Sequence, residues 1–280
     1  MKKLLLATDL SPRPDLALQR AMDLARMHGA ALSAVYVVDE DLPPALAEVV
    51  KSGAERIIRE RLAALPDGDK VAVTVRSGRP ANEILRHAAD EQAELIVLGV
   101  HRTGGLKDMF RGTTAERVIR TGNVPVLVVK AAAEGPYRRV VIGTDFSVHA
   151  RRAMQLALRL ASGAELYLVH AFLVPFAGIL RDAQTRQQVA SERRDGLAAL
   201  VGEEMRAFLA GFEGGPPEVY QIVREGMAQD VILREIVARK ADLVALGTHG
   251  RTGVAHAVLG SVAADLLSEA PCDVLVARAW

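Results

Sequence analysis

Three glycines and one serine in the second half of the chain have the residue types and the spacing of a phosphate-binding loop. Gly247 and Gly250 follow an apolar run, and nine residues separate Gly250 from Gly260 and Ser261. Glycine can adopt a positive φ and has no Cβ, so an anion can lie directly against its main chain. A helix that begins at Gly260 and Ser261 would add free amides and a hydroxyl. Glycines after a strand can also form a plain turn without a ligand.

Polar side chains flank this loop or are expected to lie near it. His249 and Arg251 stand on either side of Gly250, where they could contact phosphate oxygens or simply be solvated. Asp145 follows another apolar run, and a carboxylate at a strand end can accept hydrogen bonds from ribose hydroxyls or an adenine amine. Capping of the next helix by Asp145 or by Ser147 is the alternative. The residues indicate an anion or nucleotide site, with the capping role left open.

A similar loop occurs in the first half of the chain with one substitution. Two residues separate Gly99 from Arg102, and nine further residues separate Arg102 from Gly112 and Thr113. Arg102 therefore stands where the second half has its second glycine. An arginine brings a Cβ and a long cation into the space through which a phosphate would approach the backbone. It could fill the pocket or supply charge to a ligand held differently, and we expect a weakened site.

The loop is duplicated because the whole chain is an internal repeat. Corresponding segments keep their order, with residues 4–11 matching 140–147, residues 77–84 matching 225–232, and residues 93–99 matching 241–247, and the last two segments are equally spaced in both copies. Small residues with a Gly–Pro breaker, residues 131–136, separate the copies and suit a short linker. We predict a first domain over residues 1–132 and a second over residues 137–280.

Apolar runs alternate with helix-like segments in both copies. The predicted strands cover residues 3–8, 31–38, 70–77, 94–99, 125–130, 138–143, 164–171, 217–224, 242–247 and 273–278. Continuous apolar runs such as Leu95–Leu98 are typical of parallel strands with helices on both faces. The predicted fold class is therefore α/β, with two doubly wound, open, parallel five-stranded sheets. Ligands of such sheets bind beyond the carboxyl ends of the strands, where Asp145 and the glycine loop are expected.

Composition and charge argue against several classes of protein. Half of the 280 residues are hydrophobic and a quarter are charged, which is typical of a folded α/β protein. A net charge of +1 provides no strong field for nucleic acid or an anionic membrane. The apolar start at Met1–Ala7 is short for a signal peptide, and no run reaches the roughly 20 residues of a membrane span. We expect a cytoplasmic protein in which the single cysteine, Cys272, is a buried structural thiol.

The second-half loop resembles the ATP-binding signature of the universal stress protein family, G-x2-G-x9-G-[S/T], at Gly247, Gly250, Gly260 and Ser261. The whole chain resembles a tandem member of that family. The resemblance implies a Rossmann-like fold of the adenine nucleotide alpha hydrolase type. It also implies that the two halves pack as a pseudo-dimer through the edge strands of their sheets.

The resemblance also assigns roles to individual residues. Asp145 would meet the adenosine end of the nucleotide, and main-chain groups at Ala171 would help to hold adenine. The loop from Gly247 to Val262 would hold the phosphates. In the first half Asp9 and Val37 occupy the matching positions.

The function implied is that of an ATP-binding stress-response protein, a nucleotide-dependent regulator with Mg²⁺ as the candidate ion on the phosphates. Motifs of fast NTPases, dehydrogenases and zinc enzymes are absent from the sequence, so at most weak ATP hydrolysis is expected. No catalytic residue and no protein-held metal is assigned. Two alternatives stay open: an interaction module for a protein or an apolar ligand, and a slow ATPase. Homodimerisation of the tandem chain is also open.

Overall fold

Every predicted strand forms, and helices connect the strands in both halves. The computed structural model describes residues 1–10, 15–99, 113–132, 135–173, 183–215, 217–250 and 259–279, with the backbone alone over residues 183–195. The first half contains β1 (Lys3–Ala7), α1 (Leu16–His28), β2 (Ala31–Val38), α2 (Pro44–Ala63), β3 (Ala72–Ser77), α3 (Pro80–Asp90), β4 (Leu95–Gly99), α4 (Thr114–Thr121) and β5 (Val126–Val129). The second half contains β6 (Arg139–Gly143), α5 (Val148–Leu160), β7 (Glu165–Phe172), α6 (Ala183–Ala210), β8 (Tyr220–Glu225), α7 (Ala228–Arg239), β9 (Leu243–Gly247), α8 (Ser261–Glu269) and β10 (Asp273–Ala277).

The strands form one ten-stranded sheet with the order β3-β2-β1-β4-β5-β10-β9-β6-β7-β8. All pairs within each half are parallel, so the two predicted five-stranded sheets are present. They are joined edge to edge because β5 and β10 pair antiparallel, with Leu127 opposite Leu275. The halves therefore associate through edge strands, as the pseudo-dimer predicts.

Each face of the sheet is covered by helices from both halves. Alternate strand residues point to opposite faces, so that Leu4 and Leu6 join one core while Leu5 joins the other. The first core lies under α1, α2, α5 and α6, and the second lies under α3, α4, α7 and α8. Both cores run through the two halves without interruption, as expected for a doubly wound sheet.

The segment between the halves is fastened to the second half by a buried carboxylate. Asp273, which is fully buried at the start of β10, accepts hydrogen bonds from the Lys130 and Ala131 amides at 2.8 and 3.1 Å and from the Tyr137 hydroxyl at 2.7 Å. Arg20 of α1 places its Nε 3.3 Å from the same carboxylate. Burial, with the Asp273 charge, raises the pKa of Tyr137 well above its usual value. The linker is thereby held between the halves.

Two further expectations, that of the first strand and that of the cysteine, are met. Met1–Ala7 contributes β1, whose residues from Leu4 onward are buried. Cys272 is buried beside β10, and burial raises the pKa of its thiol to about 12, so the thiol stays protonated and inert near neutral pH. Among the described residues, no helix combines the length and the apolar character that crossing a bilayer requires.

Candidate functional site

The candidate residues of the second half gather at the carboxyl edge of the sheet. The pairing of β6 with β7 ends at Gly143 and Val169, but β7 continues to Phe172. Ala171 therefore lies beyond the last residue of β6, half-buried against the second core. β9 ends nearby at Gly247, since β6 also pairs with β9. The sheet thus brings together the carboxyl ends of β6, β7 and β9, which are far apart in the sequence.

The turn after β6 decides which side chain caps α5. Ser147 is the N-cap residue, and its hydroxyl accepts a hydrogen bond from the Ala150 amide at 3.1 Å. Asp145 uses Oδ1 to accept a hydrogen bond from the Ser147 amide at 3.1 Å. The open question of the cap is therefore settled in favour of Ser147, because Asp145 stabilises the turn rather than the helix.

Thr144 fixes the start of this turn. Its amide donates to the Val169 carbonyl oxygen at 2.9 Å, which extends the β6–β7 pairing by one bond. Its hydroxyl oxygen accepts a hydrogen bond from the Phe146 amide at 2.9 Å. Thr144 was not predicted as a site residue, although its repetition as Thr8 in the first half is a signal that the sequence offers.

Gly250 lies directly against Asp145. A Cβ added to Gly250 would stand 3.0 Å from Asp145 Oδ2, so a side chain here would crowd the carboxylate. Gly247 packs as closely on α5, because a Cβ would stand 2.8 Å from the carbonyl carbon of His149. Neither glycine, nor Gly260, has a positive φ. Of the two properties of glycine considered from the sequence, the missing Cβ rather than a positive φ is the one that these positions use, because the backbone approaches its neighbours closely.

The far end of the loop leads into a helix without a side-chain cap. The Gly260 amide donates to the Thr248 carbonyl oxygen at 2.8 Å and holds the two ends of the loop together. Gly260 is the N-cap residue of α8, and it has no side chain to bond the first amides of that helix. Ser261 is exposed as the first residue of α8, and Val262 is half-buried behind it. First-turn amides of this kind are donors for an anion.

Two histidines lie beside the glycine loop. The rings of His149 and His249 have centroids 5.6 Å apart, and His249 Nδ1 lies 3.0 Å from Thr248 Oγ1. His149 Nδ1 accepts a hydrogen bond from the Ala279 amide at 2.9 Å. Burial, followed by the neighbouring His249, lowers the pKa of His149. Its position was not predicted, because only the folded chain brings α5 against β9.

Arg251 and, in the first half, Arg102 and Gly112 lie outside the described residues. What these three contribute therefore stays a prediction from the sequence.

The first half has a different connection between its first strand and its first helix. Asp9 is exposed, whereas Asp145 is half-buried. α1 is capped by Asp15, whose Oδ1 accepts from the Leu18 amide at 3.0 Å, and the Thr8 hydroxyl donates to Asp15 Oδ2 at 2.9 Å. Asp15 therefore takes the place that Ser147 has in the second half, after a connection that is four residues longer.

That longer connection has a signal in the sequence. The first strands match with residue 4 opposite residue 140, but Arg20–Leu24 of the next helix matches Arg152–Leu156 at a spacing shorter by four. Matching the helices as well as the strands would have located the additional residues before α1. Asp9 is thus a poorer counterpart of Asp145 than the strand comparison alone predicts.

The glycine loop of the first half also ends differently. Thr113 is the N-cap residue of α4, and its hydroxyl accepts from the Glu116 amide at 3.2 Å. Gly99 has more room than Gly247, because a Cβ there would lie 3.6 Å from the Ala17 Cβ. Val37 is half-buried against the second core, as Ala171 is. The helix that would face phosphate is therefore capped by the protein's own side chain.

Comparison with known proteins agrees with the repeat. The model of the universal stress protein family matches residues 1–130 and again residues 136–278. A universal stress protein of Mycolicibacterium smegmatis is 26% identical over an alignment 292 residues long. The alignment covers 98% of this chain and 96% of that protein. A universal stress protein of Methanocaldococcus jannaschii is 35% identical over 139 residues, covering 46% of this chain and 82% of that protein.

A solved structure shows the same fold over the whole chain. The crystal structure of a universal stress protein from Archaeoglobus fulgidus aligns with a TM-score of 0.71 at 21% identity, and covers 99% of this chain and 98% of that one. The fold and both family matches agree with the duplicated sequence pattern. The chain therefore belongs to the universal stress protein family of stress-response proteins, with two copies of the family domain in tandem.

Proposed function

We propose that the second half of this protein binds ATP and that the nucleotide regulates the protein rather than serving as a rapidly consumed substrate. The observation that carries the proposal is the contact between Gly250 and Asp145, where a Cβ would stand only 3.0 Å from the carboxylate. The loop thereby lies against the acid that the family resemblance assigns to the adenosine end. A glycine loop and a nucleoside-binding acid are the two parts that one nucleotide would join.

Each part of the nucleotide has a group of suitable chemistry. Asp145 can accept hydrogen bonds from ribose hydroxyls, and the main chain at Ala171 can hold adenine. The uncapped start of α8 at Gly260 and Ser261 offers amides to the phosphates. These residues therefore fit ATP. Within the described residues no cluster of three histidine, cysteine or acidic residues could hold a metal, so Mg²⁺ would bind through the phosphate oxygens.

The first half is a poorer candidate for the same ligand. The Thr113 hydroxyl already bonds the first turn of α4, which leaves fewer amides for phosphate. Asp9 is exposed at the end of β1, and Arg102 replaces the second glycine of the loop. We propose one ATP per chain, with the first half available for another ligand or a protein partner.

The test is to copy the first-half substitution into the second half. Gly250→Arg is expected to abolish ATP binding, because its side chain would enter the space beside Asp145. Gly53→Arg is the matched control, since a Cβ at Gly53 in α2 meets nothing within 4 Å. Isothermal titration calorimetry of both variants, each checked for wild-type circular dichroism, measures the difference.

Unchanged ATP affinity in Gly250→Arg would contradict the proposed site. A wild-type protein that shows no calorimetric signal, no thermal shift with ATP and no nucleotide in the mass spectrum of its denatured sample would instead favour the interaction module. Steady release of phosphate that falls in His249→Ala would favour the slow ATPase.

A further inference from the structure

The turn between β6 and α5 is held in a backbone conformation that side chains disfavour. Phe146 has a φ of 65°, in the left-handed region where a Cβ meets the neighbouring carbonyl. Such a conformation persists when surrounding contacts determine it. Asp145 immediately precedes Phe146, so the contacts that hold the turn also set the direction of the carboxylate.

His170 supplies two of these contacts from β7. The register of β6 and β7 places His170 one residue beyond their last pair, beside the turn. Its Nδ1 lies 2.8 Å from the Thr144 carbonyl oxygen, and because that oxygen can only accept, the ring nitrogen donates. The imidazole also stacks on the Phe146 ring, with centroids 4.5 Å apart and planes inclined by 18°. His170 therefore contacts the residues on both sides of Asp145.

In the first half, Thr8–Leu10 repeat the start of this turn without the imidazole. Leu10 has a φ of 57°, and its amide donates to Thr8 Oγ1 at 3.2 Å. Tyr36 stands where the second half has His170, one residue beyond the last pair of β1 and β2. Among the residues that the structure describes, the Tyr36 hydroxyl makes no hydrogen bond. The imidazole thus occurs in the half whose glycine loop is complete.

We infer that His170 is a positioning residue of the nucleotide site, which orients Asp145 toward the nucleoside by holding the carbonyl before it and the ring after it. The inference rests on the proposed ATP site for its functional meaning. His170 contacts Thr144 and Phe146, and its effect on the ligand passes through Asp145, which lies between them. Groups that bind only phosphate should not depend on it.

The test separates the nucleoside from the phosphates. His170→Phe keeps a flat ring for Phe146 and removes the donor, so ATP affinity is expected to fall about five- to tenfold, the effect of one lost hydrogen bond. Affinity for inorganic tripolyphosphate, which lacks the nucleoside, is expected to stay the same. His170→Gln retains an N–H donor and should recover part of the ATP affinity. Tyr36→Phe, at the corresponding first-half position, should change neither.

A double-mutant cycle with Asp145→Asn tests whether the two residues act together. Once Asp145 no longer binds the nucleoside as a carboxylate, His170→Phe should cause little further loss of ATP affinity. Equal loss of ATP and tripolyphosphate binding in His170→Phe, or full additivity in the cycle, would overturn the positioning role.

Hydrogen exchange tests the structural step without any ligand. The Phe146 and Ser147 amides are both bonded within the turn, and His170→Phe should accelerate their exchange while leaving the Leu10 amide unchanged. Faster exchange in a protein that does not bind ATP would refute the proposed function and leave the role of His170 in the turn supported. Unchanged exchange at both amides would refute the role of His170 whatever the protein binds.

Discussion

Gly247 and Gly99 end corresponding strands, yet their surroundings differ. A Cβ at Gly247 would stand 2.8 Å from the carbonyl carbon of His149 and 2.9 Å from the Ala150 amide nitrogen. Both are backbone atoms of the first turn of α5, which cannot turn aside as a side chain can. A Cβ added to Gly99 would have the Ala17 Cβ as its nearest neighbour, at an ordinary contact distance of 3.6 Å. The same residue type is therefore required for packing in one half only.

This difference predicts unequal losses of stability for two identical substitutions. Gly247→Ala should lower the free energy of unfolding by about 1–3 kcal/mol through overpacking against α5. Gly99→Ala should change it by no more than about 0.5 kcal/mol. Urea denaturation followed by circular dichroism measures both. Equal effects of the two substitutions would show that the close approach of β9 to α5 is not a constraint.

Two helix starts distinguish the halves at the scale of elements. α4 begins after Thr113, which bonds the Glu116 amide, whereas α8 begins after Gly260, which has no side chain to do so. The duplicated Gly-Thr and Gly-Ser pairs look equivalent in the sequence. In the structure the helix starts one residue later in the first half, so that the hydroxyl residue moves from the first helical position to the cap.

The two hydroxyls should therefore differ in their effect on stability. Thr113→Ala should lower the free energy of unfolding by about 1 kcal/mol, since it removes a side-chain cap. Ser261→Ala should change it by no more than about 0.5 kcal/mol, because Ser261 is exposed and caps nothing. Denaturation in the absence of nucleotide gives both values. A larger loss for Ser261→Ala would mean that the cap assignment of α8 is wrong.

At the scale of the whole molecule, the surroundings of three of the described histidines favour the neutral form. Burial is the first cause that lowers the pKa of His28, of His87 and of His149. His87 Nδ1 lies 3.1 Å from an Arg76 nitrogen that can only donate, so this ring nitrogen must accept. Protonation of His87 would place two donors and two positive charges face to face.

The protein should consequently lose stability as the solution becomes mildly acidic. Each folded-state pKa is below the ordinary value, so the unfolded chain binds more protons as the pH falls below about 6.5. The contribution of these neutral histidines to the free energy of unfolding is complete above that pH. It is lost as the pH falls toward their lower, folded-state pKa values. Urea denaturation between pH 7.5 and 5.5 should show this decline, and His87→Gln should reduce its slope. An unfolding free energy independent of pH over this range would contradict the prediction.

Much of this fold could be predicted from the sequence, because continuous apolar runs mark buried parallel strands. The largest shift is in β8, predicted from residue 217 but formed from Tyr220, where pairing with Tyr167 of β7 begins. Pro217 has no N–H to donate to an edge pair. The direction of pairing at β5 and β10 could not be predicted, since an apolar strand can pair in either direction.

The candidate site was less predictable than the fold. The acid and the glycines follow strand ends, and sequence locates such ends well. His170 and His149 act through contacts between elements that are neighbours only after folding. The N-cap residue of α5 could not be predicted, because Asp145 and Ser147 are equally suitable residue types. Only the local hydrogen bonds of the folded chain select Ser147.

The antiparallel pair of β5 and β10 gives the two halves separate ligand environments. Because the strands reverse direction at that pair, the carboxyl ends of the first five strands and those of the last five lie at opposite rims of the sheet. The described residues of the two candidate sites therefore lie at different rims. The loop of the first half can therefore differ, as at Arg102, without altering the residues of the proposed nucleotide site at the far rim.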